Sequence, residues 1–164
     1  MAHDKVIRKA IHDGLLVLRR YQRADGGFDC EASKSPLDFS QSRVHKTPFL
    51  TALILSALCD PEDTKLIGEA GVAFLLEHRS SAWSWNYWQR DCKDYTDRAY
   101  PDDMDDTICA LAAVNIHSPT EFDGTLQAAL AKLLIATEEK PAGPYRTWLV
   151  DRGADVDWLD VDIA

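Results

Sequence analysis

A chain of 164 residues, 46% hydrophobic and 27% charged, is one domain's worth of sequence, long enough to bury about 70% of its unfolded surface. Its net charge of −9 speaks against nucleic acid or an anionic membrane as the main partner, because both need a basic footprint. The longest apolar runs, 49–59 and 108–116, are too short to span a bilayer, and the first five residues lack the charged-then-apolar plan of a signal peptide, so a cytoplasmic protein is expected.

Residues 4–22 read as an amphipathic helix, with Ile7, Ile11, Gly14, Leu15 and Leu18 in one apolar stripe and Lys5, Arg8, Lys9, Arg19 and Arg20 elsewhere. Asp25-Gly26-Gly27 breaks it, and the polar stretch 29–43 reads as loop. Thr47 as N-cap and Pro48 at the first helical position open a second helix, apolar nearly all round to Cys59 and therefore expected to be enclosed on every side. The segment 60–63 ends it and starts a third helix over 61–79, amphipathic again, with Ile67, Ala70, Gly71, Phe74 and Leu75 at helical spacing.

A long connection, 80–101, carries Trp83, Trp85, Tyr87, Trp88, Tyr95 and Tyr100. It leads into Asp102-Asp103-Met104-Asp105-Asp106, four carboxylates at the head of a fourth helix that is apolar all round. Ser118-Pro119-Thr120-Glu121 has the form of a capping box for a fifth helix over 119–138, with Phe122, Leu126, Leu130, Leu133 and Leu134 on one side. The alternation in 145–150 and 156–163 is strand-like.

Half-buried and buried helices thus alternate with a period of about 57 residues, the mark of a helix-pair solenoid or closed ring. The expected fold is a single all-α domain over 1–164, a two-layer αα-hairpin array with the buried helices inside and a short β-like C-terminal segment. Of the four cysteines, none forms a Cys-x-x-Cys pair or shows zinc spacing with histidine, and Cys59 and Cys109 read as small core hydrophobes. His45, His78 and His117 are assigned no catalytic part, His117 being placed to complement a helix C-terminus. Phosphate-loop, Gly-x-Ser-x-Gly and His-Glu-x-x-His motifs are missing from the sequence.

Gly14, Leu15, Leu16, Val17, Leu18, Gln22, Gly26 and Phe28 together resemble the repeated glutamine–tryptophan motif of the terpenoid cyclase and protein prenyltransferase superfamily. Val17 stands where an aromatic is usual and Phe28 where tryptophan is. Gly71, Phe74, Leu75, Arg79 and Trp85 repeat the spacing 57 residues later, with Arg79 in the glutamine position and Trp83 in the glycine position. Asp103-Met104-Asp105-Asp106-Thr107 is similar to the Asp-x-Asp-Asp-Thr signature of class II cyclases such as squalene–hopene cyclase.

That resemblance implies an α/α toroid in which Asp105 protonates a linear isoprenoid, Asp103 and Asp106 keep it protonated, and cavity aromatics, here Trp83, Trp85, Tyr87, Trp88 and Tyr100, shelter the carbocation. It implies no cofactor. A six-pair ring needs roughly twice this chain, so a longer protein, a homodimer completing the ring, or an open array that serves as a non-catalytic binding or assembly module are all open.

The residues themselves leave several readings of the acidic stretch. On a helix Asp102 faces Asp105 and Asp106, and Asp103 faces Asp106, so the carboxylates repel. The relief comes from capping and water, from one carboxyl kept protonated, or from magnesium held by Asp102-Asp103-x-x-Asp106 as in class I prenyl transfer. The aromatic group reads equally as packing over the helix ends. Asp155, Asp157, Asp160 and Asp162 read as a charge-protected edge or as oxygen ligands for a divalent cation.

Overall fold

The computed structural model describes residues 2–58, 64–98, 100–121, 124–139 and 144–150. Helix α1, Ala2–Tyr21, is amphipathic as its periodicity requires, and only Leu15 and Leu18 of its apolar residues pack against the buried core. It ends in a tight turn. Gln22 donates through Nε2 to the carbonyls of Gly26 (2.9 Å) and Ile67 (3.0 Å), while Gly26 has φ +91° and lies so close to Ala70 that a Cβ would sit 2.0 Å from its carbonyl oxygen. Only glycine fits there.

The stretch read as loop over 29–43 instead begins and is closed by a hairpin: β1, Asp29–Ala32, pairs antiparallel with β2, Arg43–Lys46, Asp29 opposite Lys46 and Ala32 opposite Arg43. Neither four-residue strand carries an apolar alternation, so the pairing is set by the partner strand and by packing rather than by local pattern. The fold is therefore mostly helical with a small two-stranded sheet.

Helix α2, Pro48–Ala57, begins as its sequence predicts, Thr47 Oγ1 accepting from the Phe49 amide at 3.1 Å. Helix α3, Lys65–Glu77, follows Thr64, and the connection after it contains a short helix α4, Lys93–Arg98, that its aromatic and polar composition did not announce. Helix α5, Met104–His117, lies along α2, and α3 packs against both. Gly71 admits Leu55 between α3 and α2, since a Cβ at 71 would approach Leu55 Cδ1 to 2.7 Å. Leu55, Phe74, Leu75, Trp85, Ala113, Val114 and Leu126 belong to the resulting core.

Three expectations are corrected. Ser118 is the C-cap of α5 rather than the start of a long helix: Pro119–Glu121 form a single 3-10 turn, and helix α6 runs Gly124–Thr137. The tight turn leaves Ser118 N–H bonded to Val114 O at 2.8 Å, which closes the preceding helix. Nor are α2 and α5 enclosed all round, because Leu53 on α2 and Ile108, Ala112 and Asn115 on α5 remain exposed. Residues 145–150 form isolated bridges, Glu138 with Tyr145 and Asp103 with Trp148, instead of a strand.

His117 does more than complement a helix end: its Nε2 lies 2.8 Å from Leu55 O, tying the last turn of α5 to α2. Cys59, the capping segment 60–63, Phe122 and the acidic segment from Asp155 to Asp162 lie outside the described residues. Among the described residues no helix is long and apolar enough to cross a membrane.

Candidate functional site

The head of α5 is built from three chain segments. Asp103 has extended backbone (φ −132°, ψ 165°) and is the N-cap, its Oδ1 accepting from the Asp106 amide at 2.8 Å. The amide of Asp103 donates to Trp85 O (3.1 Å), and that of Met104 donates to Thr147 O (2.8 Å). Leu149 N–H returns to Asp102 O at 2.9 Å. The connection after α3 and the segment 144–150 therefore flank Asp103 as short extended partners, and between them they satisfy amides that a helix start leaves over.

Thr107 closes the arrangement from inside. Its hydroxyl accepts the Trp85 amide at 3.0 Å, with both residues buried. Trp85 is 0% exposed and donates from Nε1 to Leu75 O at 2.8 Å. An equivalent bond stands one repeat earlier, where the Phe28 amide donates to Thr51 Oγ1 at 2.9 Å, four residues after the N-cap Thr47.

The four carboxylates meet different environments. Both carboxylate oxygens of Asp102 accept from Arg90 Nη2 (2.8 and 2.6 Å) and Oδ2 also accepts from the Ser84 hydroxyl, while Arg90 Nε donates to His78 O at 2.9 Å. Asp105 faces outward and is exposed. Asp103 and Asp106 are 5% and 4% exposed. Burial pushes both of these upward, most strongly Asp106, which is raised to about 9. Desolvation is the largest cause; a side-chain hydrogen bond with Asp103 and the charges of Asp103, Asp105 and Asp102 add to it. Asp106 Oδ1 is buried without a hydrogen-bond partner among the described residues, which further disfavours a charge there. At neutral pH Asp106 is therefore the protonated member of the pair.

The same burial reaches the neighbours. The Cys109 thiol is pushed up by burial and then by Asp106, Asp105 and Asp103, and the Tyr87 phenol by burial, then Cys30 and Asp106.

The five candidate aromatics fall into three groups rather than one wall. Trp85 is enclosed, with Trp83 edge-on at 6.3 Å; Trp83 is itself covered by the Arg79 guanidinium, 4.7 Å from the ring centre. Trp88 is buried between Tyr87 (4.9 Å, perpendicular) and His45 (5.1 Å), with Arg98 5.0 Å over its face. Tyr100 lies against Trp148 at 6.0 Å.

Sequence reading missed Ser84, Asn86 and Arg90. Asn86 Nδ2 holds the carbonyls of Tyr100 and Pro101 at 2.7 and 2.8 Å, and its Oδ1 accepts from Trp88 N–H. Each acts on residues 12 to 18 positions away or across a loop, so no local motif marks it. Among the described residues no group of three or more His, Cys, Asp or Glu side chains is arranged to hold a metal ion; of the residues in the alternative magnesium reading, Asp102 is engaged by Arg90 and Asp103 by the helix amides.

Comparison with protein-family models, curated proteins and solved structures finds no match to this chain.

Proposed function

We propose that the chain is a terpenoid-cyclase-like protein with the architecture of a partial α/α toroid, in which a carboxylic acid at the head of α5 starts the cyclisation of a linear isoprenoid. The carrying observation is the enclosed Asp103–Asp106 pair, which keeps a proton at neutral pH directly behind the outward-facing Asp105. In this reading the proton held by the Asp103–Asp106 pair passes by way of the Asp105 carboxylate to a terminal alkene or epoxide. A new C–H or O–H bond forms, the π or C–O bond breaks, and a carbocation is left beside an Asp105 carboxylate. Asp103 and Asp106 supply that proton from behind Asp105 without meeting substrate.

Asp105, Ile108, Ala112 and Asn115 share the exposed stripe of α5. Ile108, Ala112 and Asn115 line a cavity of about 200 Å³ with Leu111 and Leu130. An isoprenoid laid along the stripe puts its end at Asp105 and its body on these apolar groups. Ligand sites usually enclose about 300–1,000 Å³, so this cavity covers part of a polyprene, and a second copy completing the ring, in the cytoplasm, would cover the rest.

Incubation with linear polyprenes followed by product analysis tests the reading: cyclic products that vanish in Asp105→Asn support it, and products undiminished in that variant overturn it. A non-catalytic binding or assembly module is the competing reading, favoured by the engagement of Asp102 and Asp103 in ion pairing and capping. Wild-type protein that binds a polyprene and leaves it unchanged would decide for the module.

A further inference from the structure

A second cavity lies against one face of the β1–β2 hairpin. It encloses about 490 Å³, within the range of small-ligand sites, and shares no lining residue with the cavity on the α5 stripe. Three stretches of chain meet there: β2 contributes Arg43 and His45, the hairpin loop contributes Lys34, Ser35 and Asp38, and α4 contributes Arg98. In the antiparallel register Arg43 pairs with Ala32 and His45 with Cys30, so strand alternation sends the acids of β1, Asp29 and Glu31, to the opposite face.

Donors outnumber acceptors here. Arg43 and Arg98 both donate to Asp94 Oδ1, Arg98 at 3.5 Å, so one carboxylate is shared between two guanidiniums that carry five N–H groups each. Arg98 also bonds Tyr100, and Lys34 has no ion pair among the described residues. Asp38, the acid of the lining, already accepts the Ser40 amide on Oδ1 at 2.9 Å. Lys34, Arg43 and Arg98 against Asp38 and Asp94 make three positive charges and two negative, a local surplus of one cation in a protein of −9. Trp88 packs on two of the lining residues, 5.1 Å from the His45 ring and 5.0 Å beneath the Arg98 guanidinium. Its indole N–H is buried without a hydrogen-bond partner among the described residues, an arrangement that is costly until an acceptor arrives.

We propose that this cavity binds a small soluble phosphate monoester that carries hydroxyl groups, its phosphate taken by Lys34, Arg43 and Arg98 and its hydroxyls by Asp38 and Ser35. A phosphate ester brings nearly two negative charges and three acceptor oxygens, which suits cations delivered by three separate segments. A carboxylate is planar and is satisfied by one guanidinium in bidentate contact, and it would leave the other donors over. The loop wall is already shaped: the Ser33 hydroxyl donates to Asp38 O at 2.6 Å and the Leu37 amide to Ser35 Oγ at 3.3 Å, so little ordering is left for the ligand to drive. A long polyanion such as nucleic acid would have to lie along a chain of −9, whereas a small ester meets only the local surplus of positive charge.

Calorimetric titration of the full chain with ribose 5-phosphate, with ribose and succinate as controls, tests this. Ribose 5-phosphate should bind saturably and more weakly at high salt, ribose should not bind, and succinate should bind at least about tenfold more weakly. The indole N–H resonance of Trp88, identified by its loss in Trp88→Phe, should move with the same midpoint. Lys34→Gln and Arg98→Gln should each weaken binding by about tenfold or more. Lys34 is exposed and its replacement should leave the thermal midpoint unchanged, so Lys34→Gln decides the matter even if Arg98→Gln loosens the fold. The proposal is overturned if ribose 5-phosphate does not bind, if its binding is undiminished in Lys34→Gln, or if succinate binds as tightly. Retention on phosphatidic acid vesicles without binding of the free ester would overturn it as well.

Discussion

Gly26 and Trp83, 57 positions apart, are the two described residues whose backbone is left-handed, at φ +91° and +61°. Gly26 follows α1 and Trp83 follows α3, and each turn delivers an aromatic two residues later, Phe28 or Trp85, whose amide is taken by a threonine of the next long helix. The chain has repeated a turn geometry while replacing the residue best suited to it. Glycine takes this conformation at no steric cost, whereas a tryptophan there is strained by about 1–2 kcal/mol, a cost offset in part by its stack under Arg79.

Gly26→Ala should therefore be among the most damaging small substitutions. The new Cβ meets the Ala70 carbonyl as well as the unfavourable φ, and a loss of about 2 kcal/mol or more is expected. Urea titration gives the value directly; a loss below half of that would mean that the turn can move off α3. Trp83→Gly, by contrast, should change stability little, since relief of strain and loss of stacking oppose one another.

Thr107→Val keeps the shape of the side chain and removes the acceptor for the Trp85 amide. A buried amide left without a partner costs about 1–3 kcal/mol. Thr107→Ser should restore most of it, and Thr51→Val should reproduce the effect at Phe28. Equal stability of the valine and serine variants would remove this bond from the account of the fold.

The neutral Asp106 makes folding depend on proton uptake. Its folded value, about 9, lies above the ordinary 3.8, so its favourable contribution is complete below about pH 4 and declines as pH rises toward 9. Asp106→Asn, which imitates the protonated acid, should flatten that decline and stabilise the protein at pH 8 relative to wild type. Thermal midpoints across pH 5 to 9 check it, and parallel curves for the two proteins would mean that Asp106 is ionised in the fold.

Arg90 joins His78 O, Asp102 and the Tyr95 hydroxyl. Arg90→Gln leaves Asp102 with the Ser84 hydroxyl alone and should cost about 1–3 kcal/mol, less than a fully buried pair because both side chains retain some exposure. Hydrogen exchange at Asp103, whose amide bonds to Trp85 O, should quicken in the variant more than exchange in α2.

The Thr47 cap, the helical runs that became α1, α2, α3 and α5, and the 57-residue spacing were legible in the residues, because capping, apolar periodicity and a recurring glycine or aromatic are short-range signals. The site was legible as a place: Asp102 to Thr107 is where buried and charged requirements collide. What each carboxylate does was not. Asp103, Asp105 and Asp106 are near neighbours in sequence, and their division into a cap, an outward acid and a neutral buried acid depends on Trp85, Arg90 and Thr147, which arrive from elsewhere in the chain.

From the sequence alone came the helical character of the protein, its period and its crowd of acids, since these follow from the order of residues along one segment. Only the tertiary structure decided that β1 pairs with β2, that one stripe of α5 stays open and that α1 leaves Val6, Ile7 and Ile11 exposed. Pairing and burial are relations between distant segments, and desolvation acts on a side chain only after those segments have met.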